Sequence, residues 1–283
     1  MKNLIYLSFL TTIFFSLNLS KSYAADSSKS KPVNYTVVLD LSDRVLDRDQ
    51  LQKDFLLIRK LFREFEVKAR RGLILTSKDR FAVKIIPQKG SPLNIDSFED
   101  QLQLNLDEIP VQSKNNKMNE FIASFEAVLD RLEKQSLIGK ESNDFFGVDI
   151  WAYLNDNADS FSKGGYRNLV LLTTDGYFDF ENRSHVIKTG NRYTSTQFMT
   201  ELTEYNWKEK AEAEDYGLIP ISLKADIEWV ISGISSKNDQ DILQNQKIIY
   251  IWEKWLRESG AKKYHFILNN SGSQMVSKFL TVI

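Results

Sequence analysis

Two short segments hold the residue types best suited to chemistry, Asp40-Leu-Ser-Asp-Arg44 and Thr173-Thr-Asp-Gly176. Each follows an apolar, β-branched run, Asn34–Leu39 in one case and Asn168–Leu172 in the other. A carboxylate with a hydroxyl two residues later can turn both oxygens toward one point in a tight loop. Hard oxygen donors of this kind, with no His or Cys beside them, suit Mg2+, Ca2+ or Mn2+ rather than zinc. The whole chain has two His and no Cys. That removes thiolate metal sites, Cys nucleophiles, disulfides and lipidated-Cys anchors. Carboxylates, hydroxyls and aromatics are left to do the work. Taken singly, Asp40 reads as a strand-end turn former and Asp175-Gly176 as an ordinary turn. Their pairing is what points to function.

The surrounding elements must bring the two segments together. Strands are predicted at Asn34–Leu39, Arg80–Ile86, Asn168–Thr174, Asp226–Ser232 and Tyr264–Leu268, with weak strand signals near Leu93–Ile95 and Leu102–Leu106. Apolar residues at spacings of three and four predict a helix from Asp47 to about Arg71 through Leu51, Phe55, Ile58, Phe62 and Phe65. Further helices are predicted at Met118–Leu137, Ile150–Asn157, Gln197–Tyr216, Asp239–Ser259 and Ser273–Ile283. Asp47 or Asp49 can cap the first of them and Asp149 the third. No internal repeat is present. Strands alternating with helices predict an α/β fold with a doubly wound, mostly parallel central sheet and helices on both faces. Ligands of such sheets bind outside the carboxyl ends of the strands. Asp40, Ser42, Thr173, Thr174 and Asp175 all fall at that edge. Residues 177–195 lack a clear period and read as an elaborated loop leaving the same strand as Asp175. Tyr177 and His185 in that loop are candidate binding residues, because loops at this edge carry function. His265 is expected to be a packed, hydrogen-bonded strand residue, and Trp252 and Trp255 to be core.

A hydrophobic strand, Asp40-x-Ser42, a long amphipathic helix and a later strand ending in Thr174-Asp175-Gly176 resemble a von Willebrand factor type A (VWA) domain with its metal-ion-dependent adhesion site. The resemblance extends over residues 34–283 in element order, although its sharp motifs cover only about a dozen positions. It implies a metal held by Asp40, Ser42 and Asp175. Two positions depart from the family pattern. Arg44 stands where the family has a second Ser, and Asp149 stands about where it has a metal-binding Thr. Arg44 cannot ligate a cation, whereas Asp149 can. Two outcomes follow. Asp40, Ser42, Asp149 and Asp175 form a more acidic metal site, or Arg44 pairs with Asp149 or Asp175 and takes the place of the ion.

The 283 residues are 42% hydrophobic and 27% charged, which excludes a disordered chain. Residues 1–24 read as a secretory signal peptide. Lys2 precedes an apolar stretch that is short for spanning a membrane, and Ser22 and Ala24 put small residues at the −3 and −1 positions of a cleavage site; the alternative reading is an uncleaved membrane anchor. Residues 25–33 read as a polar, flexible lead, and residues 34–283 as one VWA-like domain. Removing residues 1–24 takes away Lys2 and Lys21, so 37 basic side chains become 35 against 38 acidic ones. A net charge near zero disfavours nucleic acid as a partner. No stable membrane insertion is expected once the signal is cleaved, which places the protein in the periplasm or outside the cell. The leading expectation is an exported binding module for protein–protein interaction or assembly. The resemblance implies that such a module contacts an acidic side chain of another protein through a divalent metal, Mg2+ or else Ca2+ or Mn2+, with Arg44 and Thr174 beside it. One alternative is a metal-dependent phosphohydrolase of haloacid-dehalogenase type, although Ser42 stands where that group has its acid–base carboxylate. The other is a metal-free structural subunit of the same fold, for which Arg44 is the best support.

Overall fold

The protein was analysed as a computed structural model. It describes residues 31–71, 73–88, 90–137, 147–179, 186–203, 205–237 and 243–283. The chain divides into two units, residues 1–31 and Pro32–Ile283. The predicted signal peptide, most of the predicted lead and His185 lie outside the described residues. Every element below belongs to the second unit.

Six strands form one mixed, mostly parallel sheet: β1 (Val33–Leu39), β2 (Arg80–Ile85), β3 (Gln103–Asn105), β4 (Arg167–Thr173), and two later ones, Ile227–Ile234 and Lys263–Leu268. Three two-residue strands come between, β5 (Lys188–Thr189), β6 (Arg192–Tyr193) and β7 (Gly217–Leu218), so the last two strands of the main sheet are β8 and β9. The order across the main sheet is β3-β2-β1-β4-β8-β9, and only the β2–β3 pair is antiparallel. β1 lies between β2 and β4, with Leu39 level with Ile85 on one side and Thr173 on the other. All seven of its residues are buried, as its continuous apolar and β-branched character requires.

Successive side chains of a strand point to opposite faces, and each face has its own core. Val37, Leu39, Leu169, Leu171 and Val230 join one cluster, with Phe55, Phe62 and Phe65 of α1 (Arg48–Arg71), Phe125 of α3 (Lys114–Ser136) and Phe279 of α7 (Gly272–Val282). Val38, Val170, Leu172, Trp229 and Ile231 join the other, with Leu154 of α4 (Ile150–Asn157) and Trp252 and Trp255 of α6 (Gln244–Glu258). Phe62 stacks on Phe125 with ring centroids 3.8 Å apart, and Phe81 meets Phe125 edge-on at 5.7 Å. Asp47 caps α1, its Oδ1 accepting from the amides of Asp49 and Gln50 at 3.0 and 3.3 Å.

Several local expectations need correcting. Leu93–Ile95 is not a strand. It leads into the short helix α2 (Ile95–Gln101), capped by Asn94. Gln197–Tyr216 is not one helix: a 3-10 segment at Thr196–Glu201 precedes the separate α5 (Trp207–Ala213). The 177–195 loop contains the β5–β6 hairpin, which turns at Gly190 with φ +61° and adds β7 in parallel. Arg192 ties this small sheet down through Asp215 and Glu258. His265 is not packed away. Its side chain is about two-fifths exposed, with Nε2 3.8 Å from Glu228 Oε1. Trp252 and Trp255 are fully buried, as expected of core.

Candidate functional site

The carboxyl ends of β1, β4 and β8 bring the two acidic segments side by side. β1 and β4 are parallel neighbours, and the Asp40 amide donates to the Thr173 carbonyl at 3.3 Å. Asp40 Oδ1 accepts the Ser42 amide at 2.8 Å. This local turn swings the chain into a 3-10 segment, Asp43–Leu46, which carries Arg44 inward. Across the edge, the Thr174 amide donates to the Ser232 carbonyl at 2.8 Å. The Thr174 hydroxyl accepts the Gly176 amide at 3.1 Å, and Asp175 Oδ1 accepts the Tyr177 amide at 3.0 Å. Asp40, Ser42, Arg44, Thr174 and Asp175 are all buried here.

Arg44 is the centre of the arrangement. Its side chain is 3% exposed, and Nη2 lies 2.9 Å from Asp54 Oδ2 and 3.1 Å from Asp54 Oδ1. Asp54 also accepts from Gln50 Nε2 at 2.8 Å, one helical turn earlier on α1. Burial by itself lowers the arginine's affinity for its proton. The charges of Asp54, Asp40 and Asp175 outweigh that and hold its pKa above the ordinary value. Asp54 is pushed up to about 6 by burial, against the opposing pull of Arg44. Asp175 is also raised by burial, with Lys237 and Arg44 opposing. Lys237 Nζ lies 3.2 Å from Asp175 Oδ2 and 4.7 Å from the centre of the Tyr177 ring, while its side chain stays 45% exposed. The Tyr177 hydroxyl accepts the Lys237 amide at 3.1 Å.

The wall behind Arg44 is backbone. Gly233 has φ +95° and sits where the pairing of β8 with β9 slips between Ser232 and Ile234. A side chain at Gly233 would overlap Arg44 Nη2 and stand 2.9 Å from Gln50 Nε2. Arg44 Nε and Nη1, Gln50 Oε1, Thr173 Oγ1 and Ser232 Oγ are buried here without a hydrogen-bond partner among the described residues.

The structure therefore brings Asp40, Ser42, Arg44, Thr174, Asp175 and Tyr177 to one sheet edge. Asp149 does something else. It caps α4, with Oδ1 accepting the Ala152 amide at 2.8 Å. Among the described residues, no hydrogen bond or ion pair joins it to Asp40, Ser42 or Asp175. Arg44 pairs with neither Asp149 nor Asp175. Its partner is Asp54, which the sequence reading missed along with Gln50, Gly233 and Lys237. A signal for Asp54 was present, since Gln50, Asp54, Leu57 and Leu61 share one helix face and the two leucines are buried.

The donor set does not fit a divalent cation as arranged. Arg44 already lies among the carboxylates, Lys237 holds the outer oxygen of Asp175, and Asp149 is engaged in its helix cap. Among the described residues, no group of three or more His, Asp or Glu is placed to hold a metal ion. Nor is any described helix long and apolar enough to cross a membrane. Comparison with protein-family models, curated proteins and solved structures finds no match to this chain. Fold and site together define an α/β protein with a buried ionic cluster at the carboxyl edge of its sheet.

Proposed function

We propose that the chain is a non-enzymatic binding module of VWA-like, doubly wound type, acting outside the cytoplasm by docking another protein at the carboxyl edge of the sheet. One observation carries the reading: β1 and β4 end side by side, the Asp40 amide donating to the carbonyl of Thr173, the last residue of β4, so that the loops after them leave from neighbouring points. The winding is supported by the central place of β1, with later strands added on both sides of it. The docking face is supported by Leu46, which ends the 3-10 segment carrying Arg44 and is 47% exposed, and by the half-exposed Lys237, which pairs with Asp175 from the loop after β8. An exposed apolar side chain and an accessible cation on the loops of this edge suit an acidic segment of a partner protein.

Phosphoryl transfer has less support. Asp40 is 2% exposed, its Oδ1 is occupied by the Ser42 amide, and residue 42 offers no second carboxylate. Photo-crosslinking in the native host tests the docking proposal, with a benzoylphenylalanine at position 46 and a control at the equally exposed Leu280 on α7. The expected result is a discrete protein adduct from position 46 alone, weakened by Lys237→Glu. Equal labelling from both positions, or hydrolysis of an aryl phosphate that Asp40→Asn abolishes, would overturn it.

A further inference from the structure

We propose that Arg44 is the permanent cation of this site, so that the protein edge docks its partner without a divalent metal. The inference concerns the same site as the docking proposal, but its test involves no partner, so either can fail alone. Three features of the molecule carry it.

The first is position. The guanidinium is enclosed at the strand ends, touches Asp54, and acts through space on Asp40 and Asp175. Among the described residues, Arg44 Nε and Nη1 are buried without a protein acceptor, so only Nη2 is committed to a partner. The guanidinium supplies charge to the whole cluster rather than geometry to one partner, as a bound ion does.

The second is the seat. Asp54 on α1 accepts from Nη2 on one side, and Gln50 one turn earlier donates its Nε2–H to the same carboxylate. Gly233 gives way on the other, at a backbone conformation that L side chains rarely adopt. Two elements, α1 and the distant β8, are thus shaped around a single side chain.

The third is charge. Asp40, Asp54 and Asp175 face Arg44 and Lys237, so two fixed cations already answer three carboxylates. A divalent ion entering here meets the buried charge of Arg44, which bulk solvent screens far less than a surface charge. The carboxylate that would have enriched the site, Asp149, is occupied as a helix cap.

Manganese decides the matter, because its solution spectrum reports free ion directly. Electron paramagnetic resonance titration of Mn2+ into the wild-type chain is expected to show no bound ion at millimolar concentration, and thermal unfolding is expected to be the same in Mg2+ and in EDTA. In Arg44→Ser, the cation is gone and a hydroxyl takes its place. That variant is expected to bind Mn2+ at least tenfold more tightly than wild type, and Asp40→Asn in the same background is expected to abolish the gain. Wild-type binding that Asp40→Asn removes would overturn the inference. So would a folded Arg44→Ser chain that binds no better than wild type. Should Arg44→Ser fail to fold, nuclear magnetic resonance of the wild-type Arg44 Nε–H decides. A slowly exchanging resonance that ignores Mg2+ supports the inference, and one that shifts with Mg2+ sinks it.

Discussion

Gly233→Ala probes how far the backbone has been shaped around the buried arginine. Residue 233 lies at φ +95°, and a non-glycine residue held in so sparsely populated a region costs about 1–3 kcal/mol. The added methyl would also overlap Arg44 Nη2, 2.9 Å from Gln50 Nε2 and 3.2 Å from the Thr174 carbonyl oxygen. Arg44 is enclosed, so it can yield only by loosening its pair with Asp54. Overpacking of this kind costs about 1–3 kcal/mol. The two effects together give about 2–6 kcal/mol, a large part of the roughly 5–15 kcal/mol that holds a typical domain folded. Urea unfolding followed by tryptophan fluorescence measures the loss. The separation comes from repeating the substitution in an Arg44→Ala background, where the steric part has nothing to strike. The expected coupling between the two positions is about 1–3 kcal/mol. An equal cost in both backgrounds, or a wild-type cost below about 1 kcal/mol, would refute the idea that Gly233 is there to seat Arg44.

Two further outcomes test the cluster. Asp54 binds its proton more tightly in the folded chain, at about 6 against an ordinary 3.8. The stability this contributes is present in full below about pH 4 and is lost as pH rises through about 6. Between about pH 4.5 and pH 7, wild type should therefore lose about 2 kcal/mol that Asp54→Asn does not, as read from urea midpoints at each pH. A slope unchanged by the substitution would contradict the assignment. Lys237→Gln removes a pair whose lysine is half exposed. It should cost less than about 1 kcal/mol, and less still at high salt. A salt-independent loss of several kcal/mol would place Lys237 in the buried network instead.

The long elements were legible because their patterns are long. β1 and β4 are mainly apolar and β-branched runs, and α1 and α6 each repeat their buried face over several turns. α2 was not legible, since a seven-residue helix burying only Phe98 shows too little of its period. The 3-10 segment at Thr196–Glu201 likewise blurred into the helix that follows. At the site, Asp40, Ser42 and Asp175 could be found because each directly follows a recognisable strand. Asp54 was partly legible, as a charge in a row otherwise completed by Leu57 and Leu61. Gly233 and Lys237 were not, because their relevance comes from where β8 lies in the sheet, and strand order is a property of the whole chain. Asp149 was ambiguous in sequence between ligand and cap, and its hydrogen bond to Ala152 accounts for it locally.

The order β3-β2-β1-β4-β8-β9 has a consequence for the time at which the ionic cluster comes together. Arg44 leaves β1 early in the chain, while the glycine that seats it belongs to β8, beyond β4 and the small sheet. Parallel pairings over such separations close large loops and are slow to form. Arg44 and Asp54 are close in sequence and can meet as soon as α1 forms, but the wall at Gly233 that encloses them arrives only with β8. The enclosure of the cluster therefore belongs to a late stage of folding. Interactions formed that late act mainly by holding the folded chain closed, so the cluster governs how long the protein stays folded more than how quickly it gets there.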